Sequence, residues 1–103
     1  MTDRSETALQ HSIIVALEQM GVWVIRTAVS SKHSRGLTGE PGLPDLCLPA
    51  WGWLEVKLPG RELDPAQVSW HRRANALGIH TGTVHSVSEA MAYLKQWGST
   101  KLK

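Results

Sequence analysis

Two carboxylates and one ammonium interrupt an otherwise apolar and aromatic run at residues 42–58, GLPDLCLPAWGWLEVKL. Burying an uncompensated ion costs several kcal/mol, so Asp45, Glu55 and Lys57 need a chemical reason to be there. The two halves of the run, DLCLP and WLEVKL, predict strands on either side of a Pro-Ala-Trp-Gly turn. Alternate residues of a strand share a face, so Glu55 and Lys57 should point to the same side.

The predicted hairpin brings the two carboxylates together. If it is centred on Ala50, Asp45 lies opposite Glu55, with Cβ atoms about 4.5–5.5 Å apart. Two carboxylates this close repel each other unless a cation or a shared proton intervenes. Mg²⁺ prefers such oxygen ligands and keeps several waters, and Lys57 is placed to orient or deprotonate an attacking water. The pattern therefore predicts metal-assisted hydrolysis, with a phosphodiester as the expected substrate.

A structural interpretation of the same residues needs no metal. Glu55 and Lys57 are compatible with a solvent-facing ion pair of little energetic consequence, and Asp45 with turn chemistry after Pro44. Strand parity, hairpin register and the apolar setting together favour the metal site.

Hydrophobic periodicity predicts the elements that flank the hairpin. A first helix is expected over about residues 4–20, ending at Gly21, with one apolar face formed by Leu9, Ile13, Ala16, Leu17 and Met20. VWVIRTAV (22–29) predicts a strand, and the Ser/Gly-rich residues 30–42 predict a loop.

Capping signals predict two more helices. Asp64-Pro65-Ala66-Gln67 opens the second, which presents Val68, His71, Ala74 and Leu77 and stops before Gly78. IHTGTVH (79–85) predicts a strand, and Ser86-x-x-Glu89 opens a helix that presents Val87, Ala90, Met91, Leu94 and Trp97 and ends at Gly98. The predicted order is α-β-β-β-α-β-α, an α/β fold with the hairpin in the middle of a small mixed sheet flanked by helices.

Length and composition indicate one domain, over residues 1–98, with residues 99–103 as a disordered tail. No apolar stretch approaches the roughly 20 residues of a membrane span, and the polar N-terminus lacks a signal-peptide core. The single cysteine, Cys47, cannot form an internal disulfide. We therefore expect a cytoplasmic protein, in a bacterial or phage-infected cell. A net charge of +2 is only weakly informative about partners.

The string Pro44-Asp45 … Glu55-Val56-Lys57 resembles the PD-(D/E)XK nuclease signature. The longer string GLPDLCLPAWGWLEVKLPGRELDPAQVSWHRRANALG resembles the virus-type replication-repair nuclease (VRR-NUC) domain, whose pattern is a Gly-x-Pro-Asp strand, a Glu-x-Lys strand and a Gln-bearing helix that ends in Gly. The resemblance covers most of the chain, and its specific motifs lie within residues 42–78.

The resemblance implies a restriction-endonuclease-like fold and Mg²⁺- or Mn²⁺-dependent DNA hydrolysis. It implies Lys57 as the catalytic lysine and Gln67 as the supporting glutamine. The implied metal ligands are Asp45, Glu55, the Val56 carbonyl and Glu6. Glu6 has a competing role in an Asp3-x-x-Glu6 capping box, and Gln67 in the box with Asp64.

Several basic and aromatic residues are candidates for DNA contact. Lys32 and Arg35 lie in the predicted loop, Arg61 follows the Glu-x-Lys strand, and Arg26 lies in the first strand; each is also compatible with an ordinary solvated surface. Trp23, Trp53 and Trp97 are expected in the core, whereas Trp51 and Trp70 are candidates for a dimer contact or base stacking. The histidines show no ligand spacing.

The leading hypothesis is a metal-dependent, structure-selective DNA endonuclease involved in repair. Short standalone members of the resembled family, often phage-encoded, are similar to Holliday-junction resolvases and act as homodimers, which supply two sites for a four-way junction. The alternatives are a non-catalytic nucleic-acid-binding module or nuclease subunit, and a nuclease acting on flaps or nicked duplex.

Overall fold

The computed structural model describes residues 5–27 and 40–101, with side chains described as far as residue 98. The element order is α1 (Glu6–Gln19), β1 (Ile25–Arg26), β2 (Leu46–Leu48), β3 (Gly52–Val56), α2 (Pro65–Ala76), β4 (Thr81–Val84) and α3 (Val87–Lys101). The predicted order α-β-β-β-α-β-α and the α/β class are confirmed.

The four strands form one mixed sheet in the order β1-β2-β3-β4. The β1–β2 and β2–β3 pairs are antiparallel and the β3–β4 pair is parallel, so the hairpin forms the middle of the sheet as predicted. Parallel neighbours need a crossover connection, and α2 supplies it between β3 and β4.

One face of the sheet carries the hydrophobic core. Alternation along the strands directs their apolar side chains toward α1 and α3. The buried cluster comprises Ile13, Leu17, Val22, Leu46, Leu48, Leu54, Val56, Val84, Ala90, Leu94 and Trp97.

The opposite face is covered by α2 and is partly polar. Trp53 and Glu55 point to this side, since they alternate with the core residues of β3. Gln67 of α2 bonds to Glu55, and His71 of α2 bonds to Thr81 on β4. Glu55 is therefore buried beneath a helix and not at a solvated surface.

Capping explains where the helices begin. The predicted box at the start of α2 is confirmed, because Asp64 Oδ1 accepts from the Gln67 N–H and Gln67 Oε1 from the Asp64 N–H. At α3, Ser86 Oγ accepts from the Glu89 N–H at 3.1 Å, but the Glu89 carboxylate accepts from the His85 N–H, one residue earlier than a capping box requires.

The first helix begins with a different cap from the one predicted. Its N-cap is Ser5, whose Oγ accepts from the Ala8 N–H at 3.0 Å. Glu6 is consequently the first helical residue, and the predicted box with Asp3 is wrong; Asp3 itself lies outside the described residues. The predicted end at Gly21 is confirmed to within a residue, since Met20 is the C-cap and Gly21 has a φ of 85°.

Three sequence expectations about element ends and faces are wrong. The third helix does not end at Gly98 but continues to Lys101, and Gly98 allows its backbone to pack closely on the Trp51 ring. Of the described part of the predicted strand 22–29, only residues 25–26 form a strand, and the Thr27 N–H adds a bond to the Asp45 carbonyl; residues 28–29 lie outside the description. Met20 and Leu77 were expected on the packing faces of their helices but are 57% and 70% exposed, and each is the C-cap residue of its helix.

The tryptophans divide differently from the prediction. Trp97 is buried, as expected, and Trp53 is half-buried against Trp70. Trp23 was expected in the core but is 66% exposed, because it precedes the two paired residues of β1 and none of the described helices covers it. Over the described residues, no helix is long and apolar enough to cross a membrane.

Candidate active site

The register of the hairpin places the two predicted carboxylates side by side. Leu46 pairs with Leu54, Cys47 with Trp53 and Leu48 with Gly52, so the hairpin is centred on Ala50. The predicted register is therefore confirmed. Asp45 immediately precedes β2, and the same register carries it alongside Glu55 on the face beneath α2.

A backbone N–H at the end of the hairpin holds Asp45. The Lys57 N–H bonds to Val84 on β4, so alternation directs the Val56 N–H and carbonyl toward the β2 side. The ladder position opposite Val56 is Pro44, which has no N–H, and its carbonyl accepts from Thr27 Oγ1 at 2.6 Å. The Val56 N–H instead donates to Asp45 Oδ2 at 2.8 Å. The Pro-Asp pair thus ends the ladder and orients the first carboxylate.

Glu55 is buried with one of its oxygens unsatisfied. Its exposed fraction is 2%, and its Oε2 accepts from Gln67 Nε2 at 2.9 Å. Its Oε1 is buried and has no hydrogen-bond partner among the described residues. A buried acceptor without a partner costs about 1–3 kcal/mol, more if it is charged. A buried carboxylate with an unpaired oxygen, adjoining a second carboxylate, fits a shared proton or, in its place, a divalent cation.

The electrostatics of the pair agree with its burial. Burial and, after it, the neighbouring Asp45 carboxylate raise the pKa of Glu55 to about 9, against a lowering contribution from Lys57. Burial also raises the pKa of Asp45, opposed first by the bond from the Val56 N–H. Without a cation, the pair therefore retains a proton at neutral pH.

Gln67 performs both of the roles that the sequence left open. Its Oε1 caps α2 through the Asp64 N–H, while its Nε2 donates to Glu55, each bond being 2.9 Å long. A glutamate at this position would complete the cap but could donate nothing to a carboxylate. The requirement for both a donor and an acceptor explains a glutamine here.

Glu6 and Lys57 lie near the pair without a direct bond to it among the described interactions. Glu6, half-buried at the start of α1, acts on both carboxylates by raising their pKa, and Lys57 lowers the pKa of both. The structure therefore brings Asp45, Glu55, Lys57, Gln67 and Glu6 into one neighbourhood.

The predicted DNA-binding residues are more scattered. Arg26 is exposed on β1, and its register partner Leu46 points to the core face, so Arg26 points away from the face of Glu55. Arg61 is exposed in the connection from β3 to α2. Lys32 and Arg35 lie outside the described residues.

The ligand set for a cation is small. Within residues 5–27 and 40–98, no three His, Cys, Asp or Glu side chains group closely enough to form a metal site by themselves. Mg²⁺ is commonly held by one or two carboxylates and several waters, so Asp45 and Glu55 form a sufficient protein contribution. The Val56 carbonyl faces the same side, opposite a proline that cannot bond to it, and is available as a third ligand.

His71 was expected on the packing face of the second helix, but its hydrogen bond to β4 was not predicted from the sequence. It is buried, its Nδ1 lies 2.7 Å from Thr81 Oγ1, and its Nε2 has no partner among the described residues. Burial lowers its pKa, so the ring stays neutral and joins α2 to β4. The available signal was its spacing, four residues after Gln67 on the same stripe of the helix.

No protein-family model, no curated protein and no solved structure matches this chain.

Proposed function

We propose that the protein is a metal-dependent DNA endonuclease that selects its substrate by structure. The observation that carries the proposal is the carboxylate pair, in which Glu55 lies beside Asp45 and its buried Oε1 has no hydrogen-bond partner among the described residues. An ion pair at a solvated surface, the alternative from sequence, does not account for a glutamate that is 2% exposed.

The expected cofactor is Mg²⁺ or Mn²⁺, held by Asp45, Glu55 and the Val56 carbonyl. Glu6, which lies near the pair, is the candidate for a further ligand. Once bound, such an ion activates water and stabilises the charge that develops on a phosphate. With a cation in place of the retained proton, the negative charge of the two carboxylates would become favourable.

The chain's own groups position the reactants. The Val56 N–H holds Asp45 and the Gln67 amide holds Glu55, so neither carboxylate needs to reorient when a cation enters. Lys57 supplies the positive charge of the site and orients the attacking water or the phosphate. This arrangement of Asp, Glu and Lys supports the PD-(D/E)XK resemblance noted in the sequence, including a restriction-endonuclease-like fold of the VRR-NUC type.

The proposed substrate is branched DNA, with the four-way junction as the leading form and flaps or nicked duplex as alternatives. One site cuts one strand, so symmetric resolution of a junction requires two copies related by a two-fold axis. A homodimer is accordingly part of the proposal.

The function is tested by incubating labelled four-way junction, flap, single strand and linear duplex with the protein in Mg²⁺, Mn²⁺ or EDTA. We expect metal-dependent cleavage of branched DNA, which Lys57→Ala abolishes and Lys95→Ala, an exposed lysine on α3, does not change. Tight binding of DNA in EDTA with no cleavage in either metal would instead identify a nucleic-acid-binding module.

A further inference from the structure

A groove of about 340 Å³ lies beside the proposed active site, along the outer side of α2. Its lining residues are Glu40, Pro41, Ala66, Ser69, Trp70 and Arg73. The four helical residues recur at a spacing of three and four, so they form one stripe, adjacent to the buried stripe that carries Gln67 and His71. The volume falls in the range of small-molecule sites, about 300–1,000 Å³.

The groove and the site share a wall. Gly42 follows the groove residues Glu40 and Pro41 and packs closely on α2. A Cβ at this position would collide with the Ala66 carbonyl and lie 2.9 Å from the backbone nitrogen of Gln67. The same short segment continues to Asp45. A molecule in the groove therefore lies next to the segment and the helix that hold both carboxylates.

The chemistry of the lining fits a nucleotide. Trp70 offers an indole ring, and its edge contact with Trp53, at 5.3 Å between centroids and 61° between planes, holds that ring in place. Arg73 and Ser69 are exposed and are donors of the kind that bind phosphate. Glu40 repels phosphate from the opposite wall, so a bound strand would run with its backbone on the Arg73 side.

Resting on the proposed nuclease function, we infer that this groove binds one unpaired nucleotide of the DNA, whose base stacks on Trp70 and whose phosphate meets Arg73. A base within a duplex already stacks on its neighbours and cannot enter. The groove would thus select DNA with an unpaired segment next to the cleaved bond, which makes flaps, and junctions in which a base pair at the crossover has opened, better substrates than linear duplex.

The test measures binding of a short labelled single strand, and of the same sequence as duplex, by fluorescence anisotropy in EDTA, where no cleavage is expected. Trp70→Leu keeps apolar bulk against Trp53 but removes the stacking face, and we expect it to weaken single-strand binding about 5- to 150-fold. Trp70→Phe should restore most of the affinity. Arg73→Ala should weaken binding and reduce the salt dependence by about one phosphate contact. Trp23→Leu, at an exposed tryptophan outside the groove, should change nothing.

Unchanged single-strand binding by Trp70→Leu would overturn the inference, as would an equal loss for single strand and duplex. The two proposals fail separately. If the wild type cleaves DNA but Trp70→Leu binds and cuts like it, the nuclease stands and the groove is not a nucleotide site. If no DNA is cleaved but Trp70→Leu selectively loses single-strand binding, the groove stands and the nuclease proposal falls.

Discussion

Glu55→Gln is expected to stabilise the metal-free protein at neutral pH, although it removes a residue of the proposed site. Glu55 is buried beside Asp45, and its pKa rises from an ordinary 4.5 to about 9. At neutral pH the folded protein therefore holds a proton that the unfolded chain has released, and holding it costs stability. Glutamine has the same shape, keeps an acceptor for the Gln67 amide and carries no charge.

The sign and size follow from the raised pKa. The stability associated with protonated Glu55 is complete below about pH 4.5, its unfolded value, and is lost as the pH rises to its folded value of about 9. At about 1.4 kcal/mol per pH unit, the loss between pH 4.5 and neutrality is about 3.5 kcal/mol. Because Asp45 shares the titration, this figure is an upper bound.

The assay is urea unfolding in EDTA at a series of pH values from about 5 to about 8, where these carboxylates titrate. The unfolding free energy of the wild type should fall relative to that of Glu55→Gln as the pH rises, and the variant should be the more stable at neutrality. Adding Mn²⁺ should raise the stability of the wild type alone. Glu18→Gln, at an exposed carboxylate of α1, controls for net charge and should follow the wild type. If Glu55→Gln is less stable than the wild type at neutral pH without metal, burial of Glu55 beside Asp45 does not destabilise the folded protein and the reasoning is refuted.

Three further predictions concern the supports of the site. Gln67→Glu keeps the helix cap but removes the donor to Glu55, so we expect a loss of about 1–3 kcal/mol in urea unfolding at neutral pH; an unchanged midpoint would contradict the bond. Gly42→Ala should lower the melting temperature more than Gly21→Ala: both have positive φ, worth about 1–2 kcal/mol, but only at Gly42 does a Cβ meet helix backbone. Equal shifts would refute the close approach. Burial lowers the pKa of His71, so the stability that the neutral ring contributes is complete above pH 6.5, the ordinary pKa of histidine, and is lost as the pH falls toward the pKa of the folded state. His71→Phe should therefore make the melting temperature depend less on pH on the acid side of its profile.

The hairpin and its register were predictable because local rules determine them. Strand alternation, a turn centred on Ala50 and the apolar pattern locate Asp45 opposite Glu55 without knowledge of the rest of the fold. The cap of α2 was equally local, since Asp64 and Gln67 satisfy each other within one turn. What the sequence did not show was that Gln67 serves the cap and the carboxylate at once, because that depends on α2 crossing the sheet over Glu55.

The errors fall where tertiary packing decides. Trp23 was expected in the core from its residue type, but the short β1 leaves it beyond the sheet. Gly98 was interpreted as a helix end, yet α3 continues past it, and the small residue fits there against Trp51. His71 carried no ligand spacing, and its importance appears only when Thr81 of β4 lies beneath it.

The account depends most directly on whether the Asp45–Glu55 pair exchanges its proton for a divalent cation. Calorimetric titration of Mn²⁺ into the protein at neutral pH, in buffers of different ionisation enthalpy, measures both the binding and the protons released. We predict one ion per chain in the wild type, with release of the retained proton, and no such binding in Asp45→Asn. Absence of binding to the wild type, or binding that Asp45→Asn retains in full, would contradict the account.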